Sequence, residues 1–248
     1  MTNNNMYFIA NWKMHGNTRD IERSNSLIKL VKQKKYQKHK IIYCPPYTLL
    51  KDFFNKVKKS KISIGAQNSH PNSNFGPFTG SINSKLIKST GAKYVIIGHS
   101  ENRMQGDTDI IINKKIKSAL NENLNVIFCI GETLQQRKNK LTFKILKKQI
   151  LKGLYKVKTL KKIIISYEPV WSIGTGIVPN NIEIKKNIIY IKKVLSTLAN
   201  SKKIIILYGG SVNPKNVEKL SELSEINGFL VGGASLNAKK FIDIIKKS

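Results

Sequence analysis

The sequence predicts an α/β fold: a single-domain (β/α)8 barrel of eight parallel strands spanning residues 1–248. Three observations lead there. Short β-rich runs alternate with helix-patterned stretches along the whole chain, the order expected of α/β architecture. Several runs are continuously apolar rather than alternating, which suits parallel strands buried on both faces. Eight such units in 248 residues also match the usual size of a closed barrel.

The runs are YFIA (7–10), KIIYC (40–44), SIGAQ (63–67), YVIIG (94–98), NVIFCI (125–130), IIISY (163–167), IIILY (204–208) and GFLV (228–231). Between them lie stretches such as LIKLVKQKKY and IIYIKKVLSTL, in which lysines separate apolar positions at helical intervals. Parallel neighbours need crossover connections of this kind. An open doubly wound sheet is the rival. It calls for a glycine fingerprint after the first strand, and NWKMHG stands there instead. No low-complexity linker divides the chain.

With 40% hydrophobic and 23% charged residues, the composition is that of a soluble globular protein. No apolar stretch reaches bilayer-spanning length. The start, MTNNNMYFIANWKM, lacks the basic region and long apolar core of a signal peptide. Cys44 and Cys129 have no metal-ligand spacing, so a reduced, cytoplasmic setting is expected. Nor do the histidines at 15, 39, 70 and 99 form a ligand cluster. The net charge of +30 invites a nucleic-acid reading. Lysine supplies nearly all of it, however. The only arginines are Arg19, Arg23, Arg103 and Arg137, and arginine is the residue that reads bases and phosphates bidentately. Solvated helix faces account for the lysines better, so neither a specific nucleic-acid partner nor a membrane is expected.

A barrel gathers function in the loops after its strand C-termini. Asn11 and Lys13 follow the first run, His99 the fourth and Glu168 the sixth, while Gly209-Gly210 and Gly232-Gly233 follow the seventh and eighth. Glu168 ends a buried strand, where a carboxylate withdrawn from water suits a general base; the bland alternative is a loop salt bridge. The following PVWSIGTG has stiff ends, with Pro169 before it and Ile177-Val178-Pro179 after it, and it carries Gly174 and Gly176. That is the composition of a lid whose N–H groups approach a ligand. His99 reads as an acid/base or hydrogen-bonding group, or else as a satisfied core histidine. Lys13 offers a fixed positive charge to an anion, or is one more solvent-facing lysine. YGGSVN (208–213) and LVGGAS (230–235) read as halves of an anion cradle, with N–H donors from Gly232 and Gly233 and a hydroxyl from Ser211.

The chain resembles the triosephosphate isomerase family over essentially its whole length. The segments that carry the likeness are NWKM (11–14), AQN (66–68), FTG (78–80), GHSE (98–101), CIGETL (129–134), YEPVW (167–171), IGTG (173–176), YGGSV (208–212) and VGGASL (231–236). The resemblance implies a TIM barrel, a homodimer and no cofactor. It implies that Glu168 moves a proton between two carbons, that His99 serves the two oxygens, and that Lys13, held by Glu101, with Asn11, stabilises an enediolate. Gly174, Ser211, Gly232 and Gly233 would bind the substrate's phosphate. The glutamate base, neutral histidine and closing loop are the family's general pattern. Barrels of tryptophan or histidine biosynthesis share the late phosphate loops but neither NWKM nor YEPVW. An inactive homologue is disfavoured by the intact set of Asn11, Lys13, His99 and Glu168.

Four departures stand out. Where the family usually has FTGE and HSER, whose glutamate and arginine bridge the dimer interface, this chain has Ser81 and Asn102. Both charges are absent, so none is orphaned, and the dimer is expected to persist with the loop around Phe75 to Thr79 beside Met14 of the partner subunit. His15 replaces a usual asparagine and Asp107 a usual glutamate. At the far end of the lid, Pro179 stands where many relatives offer an N–H to the Tyr208 hydroxyl; proline has none. Closure then leans on Ser211 and the Gly176 amide, or Tyr208 finds another partner, and Tyr208→Phe is expected to be milder than in those relatives.

Overall fold

A computed structural model describes residues 5–198 and 204–248; residues 1–4, part of the start read above for targeting signals, lie outside the described residues. Eight parallel strands close on themselves in chain order. They are β1 (Tyr7–Asn11), β2 (Lys40–Cys44), β3 (Ser63–Ala66), β4 (Tyr94–Ile97), β5 (Asn125–Ile130), β6 (Ile163–Tyr167), β7 (Ile205–Tyr208) and β8 (Gly228–Val231). The closing pair is β1 against β8, with Tyr7 opposite Gly228 and Ile9 opposite Leu230.

The period of two in each strand sorts its side chains between two cores. Ile9, Ile42, Ile96, Ile127, Ile164, Leu207 and Leu230, with Cys44 and Cys129, meet inside the barrel. Their alternates, among them Phe8, Ile41, Val95, Phe128, Ile165 and Phe229, face the surrounding helices. Both strand faces are therefore apolar, which is why the runs read as continuous. Burying each of these side chains contributes about 1.5–3 kcal/mol.

The outer helices carry the lysines. Lys29, Lys51, Lys85, Lys114, Lys147, Lys192 and Lys239 are all exposed and come from seven different helices around the ring. Helix starts are fixed by local capping: Thr108 accepts from the Ile111 N–H and Asn180 from the Glu183 N–H. After β3 the chain projects a loop over residues 70–83, braced at its base. The His70 N–H donates to Ile82 O at 2.8 Å, and the Asn83 amide donates to the carbonyls of Ser73 and Asn74.

Candidate active site

Strand parity aims the first site residue. Ile9 points inward, so Asn11 does too, at the barrel mouth, where only 5% of it is exposed. Asn11 Oδ1 accepts the Lys13 N–H at 3.0 Å. Lys13 itself is left-handed, with φ 54°, a conformation that costs a side-chain-bearing residue roughly 1–2 kcal/mol. Gln67 helps hold it there, its Nε2 donating to the carbonyls of Lys13 and Cys44 at 2.8 Å each. The ammonium Nζ lies 2.7 Å from Glu101 Oε1.

Gly98 ends β4 with φ 79° and breaks the strand's alternation. A Cβ there would also crowd Cys129 O at 3.1 Å. The chain turns, and His99 caps the helix Ser100–Met104 with Nδ1 accepting the Glu101 N–H at 3.3 Å. A nitrogen that accepts carries no proton, so the ring hydrogen sits on Nε2. That nitrogen faces Glu168 Oε2 at 3.7 Å.

Ile164, Ser166 and Glu168 share the inward face of β6. The Ser166 hydroxyl donates to Glu168 Oε1 at 3.0 Å, while the buried Oε2 has no hydrogen-bond partner among the described residues. The glutamate's backbone is fixed as firmly. Its N–H donates to Ile130 O at 2.8 Å, and its carbonyl occupies the space a Cβ on Gly131 would need. Gln149 clamps that glycine from the other side, accepting its N–H at 2.9 Å and donating to its carbonyl at 3.0 Å. Gly131→Ala is therefore expected to lose about 2 kcal/mol or more and to melt roughly 4–8 °C lower, as thermal unfolding followed by circular dichroism will show.

Beyond Glu168 the lid begins with a short 3-10 turn, Val170–Ser172. Trp171 Nε1 donates to Glu132 Oε1 at 3.0 Å, and the Tyr167 hydroxyl lies 3.3 Å from both oxygens of that carboxylate. Burial pushes the Glu132 carboxyl up, opposed by these hydrogen bonds. The Arg137 guanidinium covers the Trp171 ring at 4.3 Å and forks onto Glu183. At the tip, Gly174 and Gly176 take φ values of 71° and 77°. The tip is docked: the Gly176 N–H donates to Ser211 Oγ at 3.1 Å, and that hydroxyl donates to Ser172 O at 2.6 Å.

One cleft of about 220 Å³ gathers Asn11, Lys13, His99, Gly174, Ser211, Gly232 and Gly233 on its walls, with Glu168 behind His99. Lys13 is the only lysine or arginine among its lining residues, and its Cε comes within 3.6 Å of where a Gly232 Cβ would stand. Cation and glycine cradle are thus adjacent. The residues read from the sequence as catalytic or phosphate-binding line this mouth, apart from Glu168, which reaches it beside His99. The Ser211 hydroxyl, on the cleft wall, gives its proton to Ser172 O and accepts the Gly176 N–H. Ser166, Ser172 and Gln67 were missed as contributors. For Ser166 the signal was available, since it stands two residues before Glu168 and so shares its face. Among the described residues no group of three or more His, Cys, Asp or Glu side chains is placed to hold a metal ion.

Comparison with known proteins agrees with this geometry. The sequence pattern of the family described as triosephosphate isomerase matches residues 6–248. A triosephosphate isomerase of Endomicrobium trichonymphae is 41% identical over 247 residues, covering 96% of this chain and 97% of that one. That of Thermodesulfovibrio yellowstonii is 38% identical over 244 residues, covering 97% and 98%. The crystal structure of triosephosphate isomerase from Bartonella henselae superposes with a TM-score of 0.89 at 32% identity, covering 98% and 99%. On a match that takes in every strand and every wall of the cleft, the chain belongs to the triosephosphate isomerase family.

Proposed function

We propose that this chain interconverts dihydroxyacetone phosphate and D-glyceraldehyde 3-phosphate through an enediolate. The observation that carries the reading is a buried carboxylate, Glu168, facing His99 Nε2 at 3.7 Å beside a cleft in which Lys13 is the only lysine or arginine among the described lining residues. Glu168 takes a proton from the carbon beside the carbonyl, leaving an enediolate, and returns it to the neighbouring carbon. His99 Nε2–H donates to the two oxygens as charge moves between them, and Lys13 with Asn11 opposes the negative charge that develops. Gly174, Gly232, Gly233 and the Ser211 segment receive the phosphate. The reaction moves protons within one molecule with no net oxidation, so it calls for no cofactor. A coupled assay on glyceraldehyde 3-phosphate is expected to show rapid turnover by the wild type; a folded, inactive wild type contradicts the reading.

The working form in this reading is a homodimer. Met14, Phe75, Phe78 and Met104 expose 94, 66, 41 and 74% of their surface; the first three lie in loops that follow β1 and β3, and Met104 ends the short helix Ser100–Met104 that follows β4. Such apolar projections mark an interaction surface, and the braced loop over residues 70–83 brings its share preorganised. Ser81 and Asn102 put no unpaired charge there, while Asp107 is satisfied internally by Lys115 Nζ at 2.7 Å. Sedimentation is expected to give twice the chain mass for the wild type and a shift toward monomer for Phe75→Asp. A monomeric wild type would count against it.

A cytoplasmic setting belongs to the same reading, supported by two buried free thiols, Cys44 and Cys129. No described helix is long and apolar enough to cross a membrane. The spread of lysines over seven helices argues against a nucleic-acid surface concentrated on one face.

A further inference from the structure

Ser172 is fully buried at the end of the lid's first turn, and its hydroxyl joins three separate segments. Oγ donates to the Ile177 carbonyl at 2.5 Å, lies 3.2 Å from the Tyr208 hydroxyl and accepts the Ser211 N–H at 3.3 Å. Ile177 lies across the lid tip, Tyr208 ends β7, and Ser211 belongs to the loop that follows. A carbonyl only accepts, so the single Ser172 proton goes to Ile177 and Tyr208 is left to donate. Burial pushes the Tyr208 phenol up to about 12, so it holds that proton at any working pH.

The surroundings fit this junction. A Cβ on Gly210 would overlap the Tyr208 hydroxyl and stand 2.7 Å from Ser172 Oγ, so the second glycine of the pair leaves room for the bond. Pro179, at the lid's far end, has no N–H to offer. The far end is instead tied back through the Ile177 carbonyl.

We propose that the Ser172 hydroxyl is the latch of the lid, cinching its two ends together and fastening them to Tyr208 and the Ser211 loop. The proposal rests on the isomerase reading above. Ser172 touches no reacting atom; it is a positioning residue that acts through the lid. A lid held less firmly exposes the enediolate before reprotonation. The enediolate then breaks its C–O bond to phosphate, the electron pair leaves with inorganic phosphate, and the remaining enol tautomerises to methylglyoxal.

The test compares the wild type, Ser172→Ala, Tyr208→Phe and the double variant, reading kcat, KM and inorganic phosphate released per turnover. Tyr208→Phe removes one hydrogen bond and is expected to lower kcat/KM about three- to tenfold, while Ser172→Ala removes all three and is expected to lower it by more. The double variant should be no worse than the weaker single, because both break the same bond. Phosphate release per turnover should rise in each variant, a change that a merely structural role does not produce. Additive losses, or wild-type phosphate partition in Ser172→Ala, overturn the latch. Should Ser172→Ala fail to fold, Tyr208→Phe alone decides: raised phosphate release supports the latch and unchanged partition overturns it. A folded wild type with no isomerase activity overturns the isomerase reading and, with it, the latch.

Discussion

Glu168→Gln is expected to fold as the wild type does and to isomerise triose phosphates about 10²–10⁴-fold more slowly, the span that positioned acid–base groups contribute. The two side chains have the same shape, and the glutamine carbonyl can still accept from Ser166 Oγ at the 3.0 Å position. What disappears is the capacity to take a proton. Stability should be unchanged or higher, because Glu168 Oε2 is buried with no hydrogen-bond partner among the described residues, and a carboxylate oxygen left so costs more than a neutral amide in its place, by about 1 kcal/mol or more. An active site that is less stable than its disabled variant is a common trade between function and fold. Steady-state kinetics beside thermal unfolding separates the two effects. A variant that loses activity only by unfolding would show Glu168 to be structural.

Lys13→Met should lower kcat/KM by roughly 10²–10³, the loss seen when a preorganised electrostatic group is taken from a developing anion. KM should rise as well, since Lys13 is the only lysine or arginine among the described residues that line the cleft. The fold should barely notice. The Lys13–Glu101 pair spans 2.7 Å, but its side chains are 26 and 45% exposed, and pairs of that kind contribute under about 1 kcal/mol. The left-handed backbone at position 13 is equally unfavourable for Met, so no new strain enters. Added alkylammonium ions should restore part of the rate. Near-wild-type kcat/KM in Lys13→Met would make this lysine one more surface charge.

The barrel was legible because its strands are buried on both faces and so stand out as apolar runs. β2, β5, β6 and β8 begin and end as read. The small differences have local causes. Gly98 leaves β4 because its φ is 79°, and Gln67 leaves β3 to spend its amide on the Lys13 and Cys44 carbonyls. Asn11, counted as the first loop residue, pairs with Cys44 as the last of β1. Asn11, Lys13, His99 and Glu168 could be found without contacts, because topology alone puts strand ends on one face. The serines could not. Ser166 and Ser172 look like ordinary interruptions, and their meaning depends on which oxygen the third dimension brings near. Tyr208 shows the limit clearly: proline at 179 removed one donor on paper, and only the fold shows that Ser172, 36 residues earlier in the chain, is its partner. Gln149, reaching Gly131 across 18 residues, is hidden for the same reason.

The most direct test of the central claim is isomerisation of dihydroxyacetone phosphate in D2O, followed by proton NMR for wild type and Glu168→Gln. Proton transfer through an enediolate at Glu168 predicts deuterium at the carbon that receives the transferred hydrogen, at a rate comparable with turnover, and near-complete loss of both in the variant. Brisk wild-type isomerisation with no deuterium entering any product, or exchange that survives unchanged in Glu168→Gln, would contradict it.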